Sequence, residues 1–322
     1  MRIVIPGGSG HIGHLLARHF HEQGHSVCVL SRDPRPADWE TVRWNGLDLG
    51  DWTAAVDGAG VVINLAGRSV NCRYNAANCR DIKNSRTFTT ALIGEAIARA
   101  AHPPRLWLNA STATIYRHAL DRTMDEQNGD LGGHEPGAPD KWAFSVDVAA
   151  SWERAFFAAA TPQTRRIALR SSMVMSPERS GVFDRLLQLV RYGLGGALGP
   201  GTQYVSWVHD VDFVRALEFL MENEGMEGVV NICAPCPVPN RFFMRCLRHA
   251  WCSSYIALPL PRWALSIGAA LLGTETELVL KSRRVVPARL CASGFSFHFP
   301  SWRAASLDLV RRWREVNGDV EC

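Results

Sequence analysis

At 322 residues the chain exceeds the size at which one hydrophobic core usually stops growing, so one large lobe and a smaller appended one are expected. With 47% hydrophobic residues, 20% charged and a net charge of +4, nothing in the bulk composition draws it toward nucleic acid or a membrane surface. The longest apolar run, WALSIGAALLG at 263–273, is about half of the ~20 residues that cross a bilayer. The chain opens on a strand-like RIVIP without a basic region or a cleavable apolar segment, so the expected compartment is the cytosol.

Residues 3–5 read as a short buried strand. A helix over 11–23 follows, with Ile12, Leu15, Leu16 and Phe20 at helical spacing, closed by Gly24, and residues 26–30 alternate as a second strand. The connecting turn places Gly7, Gly10 and Gly13 as G-x-x-G-x-x-G, with Ser9, His11 and Ile12 between them. These glycines give a tight turn, a bare backbone for a pyrophosphate, and close packing of helix on sheet. The helix N-terminus adds N–H donors and a positive dipole. Strand, glycine turn, helix and strand within about 30 residues predict a dinucleotide site. At the end of the second strand stand Ser31 and Arg32 rather than the acidic residue that accepts both ribose hydroxyls. A hydroxyl and a guanidinium suit a 2′-phosphate, so NADP(H) is predicted over NAD(H). The histidines at 11, 14, 19, 21 and 25 fall on several helix faces and read as a solvated surface; no metal is expected.

The α/β alternation continues. Asp48 and Leu49 read as the end of a short strand, Asp48 serving an adenine amine or merely the turn before Gly50. GVVINL at 60–65 is a buried-type strand running into Ala66 and Gly67, small enough for a nucleotide to lie across its carboxyl end. One long helix is predicted over 76–101; within it Asp81 and Arg86 stand five apart and read as surface residues. RLWLNA at 105–110 is a strand leading into Ser111, Thr112 and Tyr116. KWAFSVDVAASWE at 141–153 is a helix with Trp142, Val146, Ala149 and Ala150 on its apolar face, and a strand follows at 166–170. Further on come a strand YVSWV, a helix whose His209, Asp210 and Asp212 read as capping residues, and a strand GVVNIC.

The nine cysteines are scattered, as suits reduced thiols. Cys233 and Cys236 form a C-x-x-C broken by prolines 235, 237 and 239, with no second ligand pair nearby, and read as structural. Beyond Pro235 the pattern is helical, TETELVLKSRRVV included. The cluster of Lys281, Arg283, Arg284 and Arg289 reads as a solvated basic face or one turned to an anionic substrate.

GGSGHIG at 7–13, SR at 31–32, NLAG at 64–67, STATIY at 111–116, LRS at 169–171 and YVSWVHDVDFVRA at 204–216 resemble, in this order, the extended short-chain dehydrogenase/reductases, the sugar-nucleotide epimerase and dehydratase superfamily. RDIKNSR at 80–86, GLGGALGPGTQYVSWVH at 193–209 and KSRRVVPARLCASGFSFHFP at 281–300 are similar to its atypical "epimerase family protein" branch. The resemblance covers the whole chain. It implies an α/β fold: a Rossmann-type doubly wound parallel sheet over 1–235 and a smaller, mostly helical substrate lobe over 236–322. It also implies NADP(H) held by the glycine turn, Ser31, Arg32, Leu65, Ala66, Asp81, Arg86 and Val174, which promotes Asp81 and Arg86 from the surface class.

The wider superfamily activates a tyrosine by a lysine four residues on, so that a phenol of pKa about 10 can exchange a proton at neutral pH. Counting back from Glu153 puts the tyrosine position on Ser145 and the lysine position on Ala149; a shift of one gives Phe144 and Val148. The pair is missing in both registers. Thr112 matches the superfamily's hydroxyl that orients a substrate oxygen, although capping accounts for it equally well. Tyr116, Lys141 and Asp147 lack a spaced partner that would shift their pKa. Two expectations follow. One is an NADP(H)-dependent oxidoreductase or epimerase-like enzyme on a small polar molecule, with Thr112 and Tyr116 as catalytic candidates. The other is an NADP(H)-binding sensor that has lost turnover. Neither nucleic acid nor a membrane is expected as a partner, and the oligomeric state is left undetermined.

Overall fold

A computed structural model describes residues 1–135, 139–252, 257–271 and 275–318. Its first half runs β1 (Arg2–Pro6), α1 (His11–Glu22), β2 (Ser26–Ser31), β3 (Glu40–Arg43), α2 (Thr53–Val56), β4 (Val61–Asn64), α3 (Ala76–Arg99), β5 (Leu106–Thr112), α4 (Asp140–Phe157) and β6 (Arg165–Ser171). The second half runs β7 (Met173–Met175), α5 (Val182–Arg191), β8 (Tyr204–Val205), β9 (Trp207–His209), α6 (Asp210–Glu222), β10 (Gly228–Ile232), β11 (Val238–Pro239), α7 (Asn240–Trp251), α8 (Arg262–Leu271), α9 (Glu277–Leu280), α10 (Ala288–Ala292) and α11 (Trp302–Asn317).

Seven strands form one parallel sheet in the order β10-β6-β5-β4-β1-β2-β3. Alternate residues of β1 feed two cores, because successive side chains point to opposite faces. Ile3 and Ile5 join Leu16 and Phe20 of α1 and Leu217 and Leu220 of α6. Val4 joins Ile93 and Ile97 of α3 and Phe156 of α4 on the other face. With both faces covered, the inner strands are largely buried and apolar rather than alternating, while the edge strand β3 is exposed at both ends. Strand order reverses between β1 and β4, the crevice where doubly wound sheets place their ligands.

A second core lies outside the sheet, where Phe243 of α7 stacks on Trp302 of α11 at 3.9 Å. It also takes Phe183 and Leu187 of α5 and Trp207 of β9, so this smaller body draws on residues before 236 as well as after it. Among the described residues no helix is long and apolar enough to cross a membrane.

Three local expectations change. Asp48 and Leu49 belong to no strand: the Asn45 side chain accepts from the Leu47 N–H at 2.8 Å and donates to Asp48 at 2.9 Å, an Asx turn. The helical reading of TETELVLKSRRVV fails after Leu280. Arg283 instead donates its N–H to the Tyr204 carbonyl at 2.9 Å, as suits the β-branched pair Val285 and Val286 before Pro287. In α4 the buried face runs through Val146, Val148, Ala149, Trp152 and Phe156, while Trp142 and Ala150 are half-buried and Trp142 stacks on His118.

Candidate functional site

Gly7 turns the chain off β1 with φ +76°, and a Cβ there would sit 2.7 Å from the Ala66 backbone. Only glycine therefore lets the first turn close against the carboxyl end of β4. A Cβ on Gly13 would run into the Gly8 backbone, which fixes α1 tightly on the turn. Gly10 differs: its nearest neighbour would be the Gly7 carbonyl at 3.8 Å, and it N-caps α1 with no side-chain cap. The helix's first-turn amides thus face an open groove, an arrangement that accepts a phosphate.

That groove, about 340 Å³, is lined by Gly7, Ser9, Gly10, Ser31, Arg32, Leu65, Ala66 and Gly67. A neighbouring hollow of about 440 Å³ shares Ser9, Ser31 and Arg32 and adds Arg35, which lies beyond the strand signal and escaped the sequence reading. Ser31 is buried, its hydroxyl accepting from the Asp33 N–H at 3.2 Å. The other expected cofactor residues lie differently. His11 turns to the Ser176 hydroxyl at 2.5 Å, and the side chains of Ile12 and Val174 pack on the sheet core.

Asp81 and Arg86 do not pair with each other; both brace Arg68. Asp81 is exposed and ion-paired with the Arg68 guanidinium, while Arg86 donates to the Arg68 carbonyl at 3.0 Å and the Ile82 carbonyl at 2.9 Å. Burial pulls the Arg86 pKa down to about 10, which leaves it charged at neutral pH. Its guanidinium lies over Trp152 and against Gly67, separating the groove from a second cavity.

The second cavity, about 280 Å³, is lined by four parts of the chain. Tyr74, Ile82 and Arg86 come from α3 and the loop before it; Ser111, Thr112 and Thr114 come from β5 and its end. Phe144, Ser145, Val148 and Trp152 come from α4, and Glu275, Glu277 and Arg283 from the C-terminal lobe. Thr112 both caps and lines: its Oγ1 accepts from the Thr114 N–H at 3.2 Å and donates to Thr114 Oγ1 at 3.1 Å. Ser145, the counted tyrosine position, reaches the cavity, whereas Ala149, the lysine position, is fully buried with Cys233 and Val285.

Tyr116 lies outside the cavity, contrary to its placement among the pocket candidates. It is 1% exposed, donates to Asn231 Oδ1 at 2.9 Å and accepts from Arg170 Nη1 at 2.9 Å. Arg170 in turn makes a bidentate pair with Glu153 at 2.8 Å, and Glu153 also accepts from the Ser111 hydroxyl at 2.6 Å. This buried network ties β5, β6 and α4 together and commits the phenol.

The C-terminal cations and acids also depart from a solvated face. Lys281 is fully buried; its Nζ donates to the Thr114 carbonyl at 2.9 Å, and burial together with nearby Arg283 pulls its pKa down to about 8. Arg283 is buried and donates to Thr114 Oγ1 at 3.3 Å, while Arg284 lies over the Tyr204 ring. Arg289 donates to the Glu227 and Val229 carbonyls. Burial raises the carboxyl of Glu277. Glu275 is held below the usual range: burial works against it, but Lys141 at 2.7 Å and the Tyr74 N–H outweigh it. Among the described residues no cluster of His, Cys, Asp and Glu could hold a metal, and Cys233 and Cys236 are free thiols.

A parallel sheet with a glycine turn at its switch point and a cavity alongside defines an NAD(P)-binding α/β protein. The chain belongs to the NAD dependent epimerase/dehydratase family, whose model matches residues 3–233; a domain of unknown function (DUF1731) matches residues 260–309. It is 31% identical over 318 residues to the epimerase family protein SDR39U1 of Mus musculus, covering 96% of this chain and 100% of that one. It is 32% identical over 298 residues to an epimerase family protein of Mycobacterium leprae, covering 92% and 91% of the two chains. The crystal structure of human epimerase family protein SDR39U1 (isoform 2) with NADPH superposes with a TM-score of 0.83 at 28% identity, covering 97% and 99%.

Proposed function

We propose that the chain is an NADP(H)-dependent oxidoreductase or epimerase-like enzyme acting on a small molecule held in the 280 Å³ cavity. One observation carries this reading: the cavity abuts the nucleotide groove across Arg86 and Gly67 and presents the hydroxyls of Thr112 and Ser145. The groove fits a dinucleotide, with open space at Gly10 for phosphates and Arg32 and Arg35 for a 2′-phosphate. NADPH in the human relative's structure supports the same choice. Bound there, the nicotinamide would supply or accept a hydride. The chain's own part is to hold the substrate oxygen with Thr112 and Ser145 and to exclude water with Phe144, Val148 and Trp152. Neither nucleic acid nor a membrane enters this reading.

Titration with NADPH and NADH, followed by absorbance assays on carbonyl compounds and sugar nucleotides, tests it. Tighter binding of NADH sinks the cofactor assignment. The rival reading, a sensor without turnover, is favoured by the loss of Tyr-x-x-x-Lys at Ser145 and Ala149. It predicts tight NADPH binding, no consumption of the cofactor across that panel, and no response to Thr112→Ala.

A further inference from the structure

The missing tyrosine and lysine leave the cavity without the superfamily's proton-transfer pair, yet three other proton-bearing groups converge at the vacated position. Glu277 enters from α9 in the C-terminal lobe and is 4% exposed. Its Oε2 lies 2.5 Å from Ser145 Oγ, a contact that a proton on either oxygen can bridge, and the Tyr74 side chain lines the cavity beside the same serine. Glu277 Oε1 is buried without a hydrogen-bond partner. An ionised carboxylate in that position carries a large desolvation cost, whereas the protonated acid is a hydrogen-bond donor.

The groups facing Glu277 come from every element around it. Lys281 lies 3.8 Å from Oε1 but gives its hydrogen bond to Thr114, and Arg283 and Glu275 share the same lobe. Ser145 comes from α4 and Tyr74 from the loop before α3. Burial disfavours the ionised form and Glu275 adds to this, together outweighing Arg283, the Ser145 hydrogen bond and Lys281, which favour it.

We infer that Glu277, acting through the Ser145 hydroxyl, is the proton donor and acceptor of this cavity, and that the cavity takes a small carbonyl compound, or the corresponding alcohol, with an apolar body. Val70, Ile82, Phe144, Val148 and Trp152 supply the apolar wall, and the volume lies below the usual range for drug-sized ligands, about 300–1,000 Å³. In the reducing direction the substrate carbon takes a hydride from reduced nicotinamide, and the C=O π pair moves to oxygen. The oxygen takes the Ser145 proton while Ser145 Oγ takes the proton of Glu277 Oε2. The products are an alcohol, an intact serine, a Glu277 carboxylate that solvent reprotonates, and oxidised nicotinamide.

The inference rests on the oxidoreductase reading, and the test separates the two. The full chain is saturated with NADPH and offered benzaldehyde and cyclohexanone. With turnover, Glu277→Gln should lower kcat about 100-fold or more, Ser145→Ala should do likewise, and the basic limb of the pH profile should vanish in the glutamine variant. NADPH affinity should stay unchanged. A slower Glu277→Gln enzyme that keeps that limb assigns Glu277 a structural role and overturns the inference. Infrared difference spectra of wild type minus Glu277→Gln at neutral pH decide the matter without turnover. A protonated-carboxyl band, with a carbonyl stretch of bound benzaldehyde that is lowered only in wild type, upholds the donor even where the oxidoreductase reading fails. Carboxylate bands alone, or an unshifted carbonyl, overturn it.

Discussion

Replacing Gly10 by aspartate should move stability and cofactor binding in opposite directions. Gly10 has φ −80° and ψ 174°, an N-cap conformation open to any residue, and a Cβ there meets nothing nearer than 3.8 Å. Aspartate adds a side-chain cap worth a few tenths of a kcal/mol over glycine, about 0.3–1 kcal/mol from the helix dipole, and roughly 0.5 kcal/mol from a stiffer unfolded chain. The sum, about 1 kcal/mol, should raise Tm by about 2 °C. Wild type at 100 times its Kd for NADPH should gain about 2.7 kcal/mol, or about 5 °C. In the variant a carboxylate about 4 Å from a phosphate charge costs on the order of 4 kcal/mol at an effective dielectric of 20, enough to abolish that gain. Thermal unfolding of both proteins with and without NADPH is the assay. A full NADPH-induced shift in the variant would show that the phosphates do not lie over Gly10. An apo Tm several degrees lower would refute the open N-cap.

Arg32→Ala should weaken NADPH binding at least about 10-fold through loss of a charge-assisted bond while leaving NADH binding unchanged; calorimetric titration would refute this by finding equal losses. Glu153→Ala strands the buried Arg170 guanidinium and should cost about 3–5 kcal/mol in urea unfolding, so a loss under 1 kcal/mol would dismiss the network as a structural tie. Lys281 has its pKa lowered from 10.5 to about 8 in the fold, so between those values the unfolded chain binds the extra proton. Stability should therefore rise with pH across that window, by on the order of 3 kcal/mol. Lys281→Met should flatten this rise, and an unchanged slope would refute the assignment.

The dinucleotide turn was legible because every part of it is local: strand, glycines, helix and strand lie within the first 31 residues, and the structure reproduces them in order. Arg35 was missed because it follows the strand on an irregular segment, where no periodicity marks a direction. The spacing of Asp81 and Arg86 correctly denied them a mutual pair. Their shared partner Arg68 lies on another segment, 13 and 18 residues away, and no helical pattern carries that information. The basic cluster shows the opposite failure. Charge predicted solvent, but Lys281 is buried because the chain from 281 onward runs extended beside Tyr204 and the segment after β5. That extension had a readable cause, since two β-branched residues before Pro287 disfavour helix. Glu277 had no such signal: its contact with Ser145 spans 132 residues.

The helix over 140–157 shows how architecture and chemistry separate in this chain. Its inward face still packs through Val146, Ala149 and Phe156, so the sheet needs it whatever happens in the cavity. At the lysine position Ala149 is 0% exposed among Ile115, Cys233 and Val285, three apolar neighbours that would not repay the desolvation of an ammonium. At the tyrosine position Ser145 is short, and Tyr74 and Glu277 from elsewhere in the chain line the cavity beside it. The small residue at 145 leaves the buried Glu277 of the C-terminal lobe in contact with α4, at the position where counting from Glu153 places the superfamily's tyrosine.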